Sequence, residues 1–187
     1  TVMIGGNMTA NLEDKKVAML VDNYFEDAEF SGPLKALRKA GADVEIVAPK
    51  AGELQSLNHV DPANSYQADK TIDEITMDDY DALVLPGGAV NADSLRMNDK
   101  AREWIKKFMN LGKPVGAICH APWALASAGV ADKRRLTSYF TIQDDMRNAG
   151  ADWVDQEVVI DGNLITSRKP DDVPAFDKAL ISAIQAA

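Results

Sequence analysis

The chain has 187 residues, 46% of them hydrophobic and 26% charged, with a formal net charge of -9; this suits one domain with a substantial core and argues against nucleic acid as a stable partner. The single cysteine excludes an intramolecular disulfide, and the cysteine and two histidines lack metal-ligand spacing, so no metal site is expected. No run is long and apolar enough to span a membrane and no signal-peptide pattern opens the chain, so the expected location is a reducing cytoplasm.

Residues 1–16 are polar and carry Gly5-Gly6, and read as a flexible N-terminal extension. Residues 17–187 read as a single α/β domain. Val17-Ala18-Met19-Leu20-Val21 is a continuous apolar run, the signature of a strand buried on both faces. From Asp27 the period becomes helical, with Phe30, Leu34 and Leu37 on one face, and Gly41 stops it. Val44-Glu45-Ile46-Val47-Ala48 is a second strand. Residues 51–70 carry turn signals and suggest extended pieces or a short hairpin. A short helix or turn over 73–79 leads to a third strand, Ala82-Leu83-Val84-Leu85, followed by Pro86-Gly87-Gly88. The spacing of Leu95, Trp104, Ile105, Phe108 and Met109 predicts one amphipathic helix over 93–111, stopped by Gly112. Val115-Gly116-Ala117-Ile118 is a fourth strand, and a helix-forming run over 123–128 follows almost at once. A short strand is expected over 136–139 and a helix over 141–148. The Asp161-Gly162 pair between apolar runs signals a hairpin. Asp171 or Asp172 is placed to cap the last helix, which carries Phe176, Leu180, Ile181 and Ile184. Strands alternating with helices define a parallel α/β sandwich.

The chemistry centres on Cys119. Small residues, Ala117 and Ala121, stand two positions to either side, as a sharp strand-to-helix turn demands. Small-x-nucleophile-x-small is the logic of a nucleophile elbow, which lifts the reactive atom above the sheet edge and sets it beside a helix N-terminus that favours a thiolate. In open α/β sheets, sites form beyond the carboxyl ends of the strands. Three such ends carry distinctive residues: Glu26, Asp27 and Glu29 after the first strand, Gly87 and Gly88 after the third, Cys119 and His120 after the fourth. Glu26 and Glu29, three apart, can share one face of a helical turn and serve the thiol; equally, acids in a first helical turn simply favour its dipole. The glycine amides, with that of His120, suit an oxyanion, or else form an ordinary tight turn. Adjacency alone does not make His120 the base. Tyr139 is placed either to line the cleft or to pack; His59 reads as a surface residue.

Taken together, Phe25-Glu26-Asp27-Ala28-Glu29, Ala82-Leu83-Val84-Leu85-Pro86-Gly87-Gly88, Gly112-Lys113-Pro114-Val115-Gly116-Ala117-Ile118-Cys119-His120-Ala121-Pro122 and Thr137-Ser138-Tyr139 resemble the PfpI family. These are intracellular proteases and deglycases of the larger parkinsonism-associated deglycase superfamily, with a class I glutamine-amidotransferase-like fold. The resemblance runs over residues 17–184. It implies a flavodoxin-like three-layer sandwich with a mostly parallel sheet, a cysteine nucleophile elbow and a small β-hairpin. It implies Cys119 as nucleophile, Glu29 as the buried acid hydrogen-bonded to it, Glu26 as a second acid, and the Gly88 and His120 amides as an anion pocket. In the family's proteolytic members the histidine works with an acid from a neighbouring subunit. The matching segment here is Ala92-Asp93-Ser94, with an extra residue in the loop and Asp93 where a glutamate is the family pattern.

The resemblance implies a stress-response enzyme that acts on reactive dicarbonyls or glycated adducts (deglycase or glutathione-independent glyoxalase), works as a homodimer or larger homo-oligomer, and needs no cofactor. Two alternatives stand beside it: an intracellular cysteine peptidase or amidase using Cys119, His120 and Asp93 on peptides, and a non-enzymatic redox sensor or stress chaperone whose signal is oxidation of Cys119.

Overall fold

The computed structural model describes residues 2–4 and 8–187. Strand β1 (Val2–Ile4) pairs antiparallel with β2 (Met8–Ala10), and β3 (Lys16–Leu20) follows. The loose extension expected over 1–16 is tied down at its C-terminal end. Ala10 and Leu12 are fully buried, and the Leu12 N–H donates to the Ala40 carbonyl at 2.9 Å. Residues 1 and 5–7, which the same expectation covers, lie outside the described residues.

After β3 come β4 (Phe25–Glu26), α1 (Asp27–Lys39) and β5 (Asp43–Ala48). The expected hairpin is β6 (Glu53–Asn58) with β7 (Asp61–Gln67), and β4 joins it to make a three-stranded sheet of its own. Then follow β8 (Lys70–Thr71), a 3₁₀ turn at Met77–Asp79, and β9 (Ala82–Leu85). The single helix expected over 93–111 is two: α2 (Ala89–Leu95) and α3 (Asp99–Leu111). Asn98 breaks it, because its side chain accepts the Ala101 N–H at 2.9 Å and starts a fresh helix as an N-cap.

Next come β10 (Val115–Ile118), α4 (Pro122–Ser127) and β11 (Arg135–Leu136). The strand expected over 136–139 stops at Leu136, where the chain turns to cover the sheet edge: the Thr137 N–H donates to Thr166 Oγ1 and the Tyr139 N–H to the Cys119 carbonyl. Helix α5 (Gln143–Asn148) precedes β12 (Asp152–Trp153), which pairs with β11. Strands β13 (Val159–Asp161) and β14 (Leu164–Ser167) form the hairpin signalled by Asp161-Gly162, and α6 (Val173–Ala186) ends the chain. Asp172 stands at the N-cap of α6 but caps no helix amide. Its carboxylate instead accepts the Arg168 N–H and holds the Arg168 guanidinium at 2.9 and 3.0 Å.

The main sheet runs β13-β14-β10-β9-β3-β5-β8, with only β13 antiparallel to its neighbour. Strand alternation splits its apolar residues between two layers. Val17, Met19, Val84 and Ile118 face α1 and α6, packing on Phe30, Leu34, Phe176 and Leu180. Ala18, Leu20, Leu83, Leu85, Val115 and Ala117 face the other layer, packing on Trp104, Ile105, Phe108 and Leu125. The result is the three-layer, mostly parallel sandwich that the resemblance implies, and it brings the carboxyl ends of β3, β9, β10 and β14 to one edge.

Candidate active site

Cys119 follows β10 directly and holds φ at +66°, a left-handed conformation that costs a non-glycine residue free energy. Neighbouring backbone enforces it: the Cys119 N–H donates to the Ser167 carbonyl at 3.0 Å, and its own carbonyl accepts the Tyr139 N–H at 2.8 Å. The turn swings two consecutive side chains to the same side. His120 Nδ1 therefore lies 3.1 Å from the sulfur, although adjacent residues on a strand would point apart. The imidazole stacks on the Tyr139 ring at 4.8 Å and meets Trp123 edge-on at 5.2 Å.

The β9 loop closes over this turn. A Cβ on Gly87 would fall 2.0 Å from Glu29 Oε1 and 2.7 Å from the Cys119 Cβ, so no larger residue fits there. Gly88 sits at φ +97°, and a Cβ on it would strike the Glu26 nitrogen at 2.7 Å. Asn91 fixes the loop. Fully buried, it donates to the Pro86 and Gly87 carbonyls and accepts the Asp22 N–H at 2.7 Å, tying the loops after β9 and β3 together.

The acids at the head of α1 divide by role. Asp27 points to the hairpin and accepts from Ser56, Asn64 and Tyr66. Glu26 and Glu29 turn to Cys119, lining one pocket of about 260 Å³ with Gly88, His120, Tyr139 and Pro170. Glu26 accepts the His59 N–H, and His59, an exposed residue and another left-handed one at φ +59°, also lines the pocket.

Burial decides the ionisation here. Glu29 is wholly inaccessible, and neither carboxyl oxygen has a hydrogen-bond partner. Burial, reinforced by the Glu26 charge, pushes its carboxyl up to about 8, so it is protonated at neutral pH. Burial, and then the Glu29 charge, push the Cys119 thiol up as well; the backbone N–H groups of Gly88 and His120 pull the other way. Carboxyl and thiol thus perturb each other's ionisation, although no aligned hydrogen bond joins them, and their proton is best assigned to the pair. Burial lowers the His120 imidazole, which favours its neutral form.

The structure therefore gathers Cys119, His120, Glu26, Glu29, Gly88 and Tyr139 around one pocket, with Gly87 against its floor. It does not bring Asp93 there within one chain. Asp93 is exposed on α2, in a separate depression with Ala89, Val90 and Trp123. Sequence reasoning missed Asn91; His59 is the exposed surface residue expected, and it is its backbone N–H that donates to Glu26. The partners of Asn91 are backbone atoms of a distant loop, which no local pattern reveals. Among the described residues no helix is long and apolar enough to cross a membrane, and no cluster of three or more His, Cys, Asp or Glu is placed to hold a metal ion.

A doubly covered α/β sheet with a strained cysteine elbow and a buried carboxyl defines a class of protein by itself. The DJ-1/PfpI family profile matches residues 15–183, and the chain belongs to that family. It is 43% identical over 173 residues to the protein/nucleic acid deglycase 2 of Escherichia coli, covering 92% of this chain and 99% of the relative. It is 41% identical over 170 residues to the deglycase PfpI of Pyrococcus furiosus, covering 91% and 99%. Among solved structures, it superposes with a TM-score of 0.85 at 37% identity on a protein of Anabaena variabilis that joins a DJ-1/ThiJ/PfpI-like to a ferritin-like domain, covering 90% of this chain and 49% of that one.

Proposed function

We propose that this protein is a cysteine-dependent deglycase of carbonyl-stress defence, acting on dicarbonyls or their adducts through Cys119. The observation that carries this reading is the sulfur itself: it lines an open pocket on a strained elbow, with His120 Nδ1 at 3.1 Å and the buried Glu29 carboxyl in the same lining. Relatives with deglycase names support the same reading. The thiol yields its proton as the sulfur attacks a substrate carbonyl carbon, breaking the C=O π bond and giving a hemithioacetal. The Gly88 and His120 amides favour the negative oxygen or sulfur at each stage. Neutral His120, 3.1 Å from the sulfur, takes the thiol's proton; the protonated Glu29 gives its own to the oxygen and is reloaded when the thiol is restored. With methylglyoxal, the hydrogen on the sulfur-bearing carbon then shifts to the neighbouring carbonyl carbon, oxidising the first to a thioester and reducing the second to an alcohol; water hydrolyses the thioester and restores the thiol, so that one dicarbonyl and one water give one lactate. The chemistry needs no cofactor, and a homo-oligomer in the cytoplasm is its proposed setting.

The test is lactate formation from methylglyoxal without glutathione, followed by release of the adduct from methylglyoxal-treated peptides, comparing wild type with Cys119→Ser. Turnover by the wild type alone is the expected result; equal turnover by the serine variant would remove Cys119 from the chemistry. The Cys119–His120 contact favours a second reading, a cysteine peptidase, which requires Asp93 of another copy to reach the imidazole. Hydrolysis of unmodified peptides that disappears in Asp93→Ala would favour it.

A further inference from the structure

Tyr139, which lines the Cys119 pocket, also lines a second cleft of about 200 Å³, together with Phe140, Asp155, Arg168 and Lys169. The two spaces share the Tyr139 wall, and Pro170, which lines the first, directly follows Lys169, which lines the second. The second cleft therefore adjoins the space in which a substrate would meet the sulfur.

The charges around it are unequally committed. Arg168 is fully engaged: it holds Asp172 at 2.9 and 3.0 Å and Asp155 at 2.9 Å. One guanidinium thus ties two acids into the wall and stiffens it, leaving that trio one negative charge in excess and offering a ligand little. Lys169 differs. Its ion pair with Asp171 is 4.0 Å long and joins side chains 46% and 84% exposed, a pairing that water screens almost completely. Lys169 shares the lining of the cleft with two aromatic residues, Tyr139 and Phe140, the latter 60% exposed. Such apolar walls lower the local dielectric and strengthen a charge contact made against them. In a chain of net charge -9, an anion is repelled at long range, so recognition of one must be local.

We propose that this cleft is a subsite that takes an anionic group, a carboxylate or a phosphate, carried by the substrate a few atoms beyond its reacting carbon, with Lys169 as its partner. It would select adducts on charged carriers over free dicarbonyls. The inference rests on Cys119 being the reacting atom.

Alkylation of Cys119 tests it without relying on turnover. N-iodoacetylglycine and its amide present the same electrophile and differ in one negative charge; the N-iodoacetyl derivative of aminoethyl phosphate supplies the phosphate arm. An ion pair in a half-exposed cleft should make at least one anionic reagent about 3- to 10-fold faster than the amide. Which arm gains more identifies the carrier. Lys169→Ala should abolish the preference and Lys169→Arg retain it, with the amide rate unchanged in both. Equal rates for all three reagents on the wild type, or a preference that survives Lys169→Ala, would overturn the subsite alone. A Cys119 that none of the reagents labels would overturn the thiol chemistry and this subsite with it.

Discussion

Cys119 holds a conformation that an L residue adopts at a cost, and among the described residues three of the four non-glycine residues at positive φ, Tyr24, His59 and Cys119, line the pocket or the depression adjoining it. Strain concentrated there is sustained by the surrounding hydrogen bonds and fixes where the sulfur points. Cys119→Ser keeps the backbone and the side-chain volume nearly unchanged, so it should fold normally and lose turnover. Circular dichroism beside the lactate assay checks both halves. Glu29→Gln tests the proton pair. The carboxylate charge is one reason the thiol lies high, so its removal should shift the pH midpoint of Cys119 alkylation downward. Turnover should fall at the same time, because an amide has no proton to exchange. A profile that stays in place would take Glu29 out of the proton transfer.

Among the elements, the elbow depends on how closely α6 approaches β10. A Cβ at Gly116 would lie 2.5 Å from Leu180 Cδ2 and 3.0 Å from Phe176 Cζ. Gly116→Ala should therefore destabilise the fold by roughly 1–3 kcal/mol through overpacking. Leu180→Val, which shortens the offending branch, should recover part of that loss in the double variant, read from urea unfolding as a non-additive cycle. Additive effects would mean that the two side chains do not meet. The buried strands were legible because a sheet covered on both faces demands continuous apolar runs, which few other elements share. The division of α2 from α3 was written in Asn98, a good N-cap residue, but the apolar spacing from Leu95 to Met109 runs across the break and masks it. In the site, the cysteine and its flanking alanines carry a turn pattern that can be read. Which acid faces the sulfur is set by how α1 leaves β4, and that depends on the hairpin that binds Asp27.

At the scale of the whole molecule, stability should have an unusual dependence on pH. Two carboxyls carry folded-state pKa values far above their ordinary range, both through burial: Glu29 at about 8 and Asp177 on α6 at about 7, the latter with Oδ1 unpartnered. A folded state that keeps protons the unfolded chain has released loses stability as pH rises. That loss should begin near the ordinary carboxylate range and finish once both groups ionise, just above pH 8. Asp27 and Glu45 act oppositely. Burial would raise them, but hydrogen bonds from Ser56 and Tyr66 to Asp27, and from Lys16 to Glu45, hold both below their ordinary values. Their contribution is present above that range and disappears as pH falls through it. The opposing slopes place the stability maximum in acid, in the ordinary carboxylate range at about pH 4, away from neutrality. Between pH 5 and pH 8 the loss should be on the order of 2–4 kcal/mol, after allowance for the partial exposure of Asp177. Urea midpoints at the two pH values measure it directly. Asp177→Asn, remote from the thiol, should flatten part of the slope and gain stability at pH 8 while leaving Cys119 alkylation unchanged. Equal midpoints at pH 5 and pH 8 in the wild type would mean that neither carboxyl holds its proton in the folded state, and the protonated Glu29 on which the proposed proton transfer depends would go with it.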